Sequence, residues 1–109
     1  MKNLIIFLSA ILMANTTIAQ TIEVCNSCPI STIKNAIIQV KDFDTIVIKK
    51  GTYKEHDILI DKPIVVIGEN YPVIDGELKG EVITITSDNV TVDGLFVINV
   101  GTSYTEDYA

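Results

Sequence analysis

Apolar and polar residues alternate in short runs along most of the chain, and the runs return at an interval. Ile46 and Ile48 alternate with Thr45 and Val47, Ile58 and Ile60 flank Leu59, Ile83 and Ile85 flank Thr84, and Val90 and Val92 flank Thr91. A period of two puts every second side chain on one face of a strand. Lys62-Pro63-Ile64-Val65-Val66-Ile67-Gly68 is answered by Asp88-Asn89-Val90-Thr91-Val92-Asp93-Gly94, 26 positions later. Ile58-Leu59-Ile60 is answered by Ile83-Thr84-Ile85, 25 positions later. Asp44-Thr45-Ile46-Val47-Ile48 reads as an earlier copy at a less regular offset. Strand-and-turn units repeating every 20–30 residues or so mark a solenoid, in which each unit buries its apolar face against the next. The pattern predicts an all-β, right-handed parallel β-helix. Ile46, Ile48, Ile58, Ile60, Ile64, Val66, Ile83, Ile85, Val90 and Val92 are expected in one buried stack. Ile64 to Ile67 and Leu95 to Ile98 are apolar on both faces, so something is expected to pack on their outer side.

One segment breaks the strand pattern. Ile33, Ala36, Ile37 and Val40 recur at i, i+3, i+4 and i+7, the stripe of an amphipathic helix. Ser31 offers the N-cap oxygen, and Lys41 is placed to favour the C-terminus. A solenoid end exposes unpaired backbone and apolar side chains, so this short α-helix is expected to cap the N-terminal end. Thr21 to Val24 precedes it as a first short strand, and Tyr53 follows as a large core anchor. From Gly101 the chain is polar, with no second cap. Residues 20–109 therefore read as the N-terminal cap and first coils of a longer β-helix, and an uncapped end predicts marginal stability and end-to-end association.

The first residues belong to a different pattern. Lys2 precedes an apolar run over residues 4–13, and Thr17-Ile18-Ala19 ends in a small residue before Gln20. Residues 1–19 read as a secretory signal peptide, too short for a permanent membrane span; an uncleaved anchor is the other reading. The chain has 8 Lys, no Arg and 14 acidic residues, for a net charge of −6. That balance excludes nucleic acid and anionic membrane surfaces as natural partners, because both need clustered cations. An exported protein with two Cys points to an oxidising compartment, a bacterial periplasm or the outside, and the periplasm is the expectation.

Cys25 and Cys28, in Cys25-Asn26-Ser27-Cys28, are the only soft-metal constellation. Two sulfurs at this spacing can share one Cu(I) ion or exchange electrons. They can equally form a structural disulfide, and the residues alone leave both open. His56, the single His, is a candidate third ligand, but Lys54-Glu55-His56-Asp57 reads as a solvated turn. Acid–base chemistry needs paired carboxylates on one surface. Asp75 and Asp93 are the best candidates, although each precedes a Gly, which suits a turn.

The order of signatures, namely a helix over residues 31–40, Gly51-Thr52-Tyr53, Lys62-Pro63, Ile74-Asp75-Gly76 and Val90-Thr91-Val92-Asp93-Gly94-Leu95, resembles the NosD-like family. That family lies among the pectin-lyase-like β-helices, and the similarity spans about residues 21–109. Phe43 departs from the pattern, since a Gly is usual between the two acidic positions. The resemblance implies export and a non-enzymatic accessory role. It also implies partnership with an ABC transporter and with nitrous oxide reductase, whose copper centre such proteins help to assemble. The rival expectation is a carbohydrate-binding or polysaccharide-degrading β-helix protein.

Overall fold

The computed structural model describes residues 18–101. The signal-peptide reading of residues 1–17 and the readings of the tail from residue 102 lie outside the described residues. Among the described residues there are nine short strands: β1 (Thr21–Val24), β2 (Thr45–Ile48), β3 (Thr52–Lys54), β4 (Ile58–Ile60), β5 (Val65–Gly68), β6 (Val73–Asp75), β7 (Ile83–Ile85), β8 (Thr91–Asp93) and β9 (Phe96–Ile98). They form three parallel sheets, β1-β2-β5-β8, β3-β6-β9 and β4-β7. The chain visits the three sheets in turn and then climbs one level. The result is a parallel β-helix of about three coils.

The register reproduces the sequence repeat. Ile58 pairs with Ile83, and Val65 pairs with Thr91. The irregular earlier copy is a true coil, with Thr45 beside Val65, and Thr21 beside Thr45 adds one more level. β4 and β5 lie in different sheets, so no hairpin joins them. Inward columns run up each wall: Ile22, Ile46, Val66 and Val92 on the first, Tyr53, Ile74 and Val97 on the second, Ile58 and Ile83 on the third. Ile46, Ile48, Ile58, Ile60, Ile64, Val66 and Ile74 are buried. Each such side chain contributes about 1.5–3 kcal/mol by leaving water.

The expected stack fails in the upper coil. Ile83 and Val90 are only partly buried, and Ile85 and Val92 are 48% and 36% exposed. Their face is as predicted, but they sit in the last coil of the described residues, where no described coil lies above them. The packed outer layer is likewise not found. Ile67 and Phe96 are exposed, and Val65 and Ile98 are half-buried. The outer face of the first wall is instead a ladder of short β-branched side chains, Thr21, Thr45, Val65 and Thr91.

Between β1 and β2 the chain forms no strands for the second and third walls. Helix α1 (Ile33–Gln39) takes their place and packs on β1, β2 and β4. Its stripe Ile33, Ala36, Ile37 and Val40 is buried, as the periodicity predicts. The N-cap is Thr32 rather than Ser31, its hydroxyl accepting from the Asn35 N–H at 3.2 Å. The helix ends are held from a distance. Glu55, 9% exposed, accepts from the N–H groups of Ile33 (2.7 Å) and Lys34 (3.1 Å). The Lys62 ammonium donates to the carbonyls of Ile37 (2.7 Å) and Val40 (2.8 Å), the role expected of Lys41. Glu55 and Lys62 bracket β4, so one strand presents an anion to the positive helix end and a cation to the negative end.

Two backbone details account for sequence features. Gly68 and Gly94 stack at one corner of successive coils, and a Cβ on Gly94 would lie 2.6 Å from the Gly68 carbonyl oxygen. Phe43 has φ 71°, the left-handed region that favours glycine, and its N–H donates to the Pro63 carbonyl at 2.7 Å. A Gly is therefore the natural residue there.

Candidate functional site

The Cys-x-x-Cys segment leaves β1 at its buried end, Val24, and turns outward before α1. The Cys28 N–H donates to the Cys25 carbonyl at 3.1 Å, and the Cys25 N–H to the Ile30 carbonyl at 3.4 Å. These bonds make a tight turn with Cys25 and Cys28 half-buried and Asn26 and Ser27 exposed. The two sulfurs are joined as a disulfide, with the Cα atoms 5.0 Å apart. The Ser27 hydroxyl lies 3.6 Å from the Cys25 sulfur. Below the turn, the buried Tyr53 donates its hydroxyl to the Lys49 carbonyl at 2.7 Å and reaches the Val24 carbonyl at 3.4 Å. Burial, helped by the nearby Glu55 charge, pushes the Tyr53 phenol up from its ordinary pKa, so it stays a neutral donor. The floor is thus a buried, hydrogen-bonded ring, while the turn above it exposes Asn26 and Ser27.

The other candidates do not converge on this turn. His56 lies in the β3–β4 connection, its Nε2 3.5 Å from the Asp57 carboxylate. Among the described residues no group of three or more His, Cys, Asp or Glu side chains is placed to hold a metal ion. Asp75 and Asp93 lie on different walls, at the ends of β6 and β8. The Asp75 carboxylate accepts from the Asn99 side-chain amide and from the Glu77 N–H, each at 2.9 Å. Those bonds, the Asn99 one first, hold its pKa below the ordinary carboxylate value. Asp75 is therefore an ionised turn residue, as the following Gly suggests. Lys49 bridges Glu69 at 3.0 Å and Glu23 at 3.4 Å across three coil levels, and the Glu69 bond chiefly raises its pKa.

No family model, curated protein or solved structure matches the chain.

Three polar residues near the cap carried no signal in the periodicity: Asp44, Glu55 and Lys62. Each reads as a turn residue locally. The partners of Glu55 and Lys62, and the Gln20 partner of Asp44, lie more than twenty residues away in sequence, so only the coiling of the chain reveals them; Asp44 also accepts locally from the Lys41 N–H. No helix among the described residues is long and apolar enough to cross a membrane.

Proposed function

We propose that this chain belongs to an exported, non-enzymatic accessory protein of the NosD-like kind. In this reading it acts in the periplasm with an ABC transporter to assemble the copper centre of nitrous oxide reductase. The observation that carries the reading is the Cys25–Cys28 turn. Two sulfurs lie together in a half-buried turn outside the core cluster, on a loop whose backbone is already folded to bring them close. Copper is cargo here. In the disulfide both sulfurs bond to each other and neither is a thiolate. Two electrons and two protons from a thiol donor open the pair. The reduced thiols then lose their protons on taking Cu(I), which soft sulfur ligands prefer.

The test compares the reduced wild-type protein with the Cys25→Ser/Cys28→Ser variant, under anaerobic competition with a Cu(I) chelator. One Cu(I) per wild-type chain and none in the variant is the expected outcome. Equal binding by both removes the Cys pair from the function. The rival reading has its own support in Tyr71 and Phe96, exposed aromatic side chains near one edge of β6 and β9. Exposed rings of this kind can stack on sugars. If affinity electrophoresis shows polysaccharide retardation that Tyr71→Ala and Phe96→Ala abolish, the carbohydrate reading replaces the copper one.

A further inference from the structure

Asp44 is buried, 5% exposed, at the entry to β2, yet both of its oxygens serve backbone nitrogens. Oδ1 accepts the Gln20 N–H at 2.8 Å and Oδ2 accepts the Lys41 N–H at 2.9 Å. The Gln20 carbonyl in turn accepts the Thr45 N–H at 2.9 Å. Residues 18–20 are all exposed, but Gln20 is pinned through both its backbone nitrogen and its carbonyl. The two backbone N–H donors already stabilise the Asp44 carboxylate, and a cationic donor at the Gln20 nitrogen would bond it more strongly than a neutral amide does.

We propose that the Ala19–Gln20 bond is cut on export and that Asp44 is the counter-ion of the resulting Gln20 α-ammonium. The inference rests on the export reading above. The leader-removing endopeptidase adds water across the bond. Ala19 leaves as a carboxylate, and the Gln20 nitrogen takes a proton and becomes an ammonium. Ala19 is the small residue such a protease requires. The new ammonium keeps its place because Thr45 still holds the Gln20 carbonyl. Asp42 on the same turn favours it, and Lys41 and Lys62 oppose it. The Asp44 bond to Gln20 is the main reason its carboxyl sits below the ordinary carboxylate pKa, so it is ionised when the ammonium forms.

The pairing has a chemical consequence. An N-terminal Gln is lost when its free amine attacks the side-chain carboxamide, closing a lactam and releasing ammonia. A protonated amine has no lone pair for that attack. Raising the α-amino pKa by one unit above its ordinary value of about 8 cuts the reactive fraction about tenfold. Asp44 therefore protects the terminus it binds.

The experiment uses the full chain, leader included, exported by a bacterial host. Intact mass is expected to show a chain beginning at Gln20 with its ammonia retained. In the Gln20→Ala variant, which keeps the amine but cannot cyclise, the amine is expected to titrate at least one unit above about 8 by NMR. Asp44→Asn is expected to cyclise about tenfold faster than wild type at equal pH, following the same change in free amine. A retained leader overturns the proposal together with the export reading, and a leader cut at a different bond overturns the proposal alone. A terminus at Gln20 whose amine titrates normally overturns the ion pair alone. Should Asp44→Asn fail to fold, the Gln20→Ala titration decides.

Discussion

Replacing Glu55 with Ala tests the clamp that seats the cap helix. The carboxylate is nearly fully buried and accepts two backbone N–H groups at 2.7 and 3.1 Å. Truncation leaves both donors without that acceptor, at about 1–3 kcal/mol for a buried unsatisfied group, and less for the partly exposed Lys34 N–H. It also removes the anion from the positive helix end, worth up to about 2 kcal/mol in a partly buried setting. Together these predict a loss of about 3–5 kcal/mol. The total stability expected for a domain of this size is roughly 5–13 kcal/mol. Glu55→Gln keeps one acceptor oxygen but turns an amide donor toward the second N–H, and should cost about 1–2 kcal/mol. Urea unfolding of each variant gives the free energies, and hydrogen exchange at the amides of residues 33–40 locates the change. The Lys62→Ala variant releases the other helix end. If the helix docks as a unit, the double variant should cost less than the sum of the singles by at least about 0.5 kcal/mol. A cost below about 0.5 kcal/mol for Glu55→Ala, with helix protection unchanged, would refute the clamp.

Three further outcomes are expected. Phe43→Gly relieves a left-handed side chain that is mostly exposed; after the entropy of an unfolded Gly is subtracted it should stabilise by about 0.5–1 kcal/mol, read as a higher urea midpoint. Gly68→Ala places a methyl against the Gly94 carbonyl of the next coil and should cost about 2–3 kcal/mol in the same assay. Asp44 and Asp75 are held below the ordinary carboxylate value of 3.8, so their contribution is present above that pH and lost as pH falls through the folded-state values. Stability measured against pH should therefore drop below about pH 4, and Asp75→Asn should flatten that limb.

The coil architecture was legible because it rests on local alternation repeated at a fixed interval. Ile58 with Ile83 and Ile64 with Val90 are aligned by sequence offset alone, and the structure pairs their strands in that register. The helix stripe was legible for the same reason. Alternation tells which way a side chain points, but not whether a coil lies above it, so Ile85 and Val92 were expected buried and are exposed. Charged residues inside turns hide their partners. Nothing near Glu55 or Lys62 in sequence announces a helix end, because the helix precedes them by a full coil. The Cys pair was legible as a pair, and its closure into a disulfide is one of the two states its spacing allows.

The central claim is that the chain climbs in parallel coils through three walls, and backbone NOEs test it most directly. The account predicts contacts linking Ile46 to Val66 and Val66 to Val92, Tyr53 to Ile74, and Ile58 to Ile83, all in parallel register. Antiparallel contacts between residues 58–60 and 64–67, running in opposite order along the two strands, would contradict it.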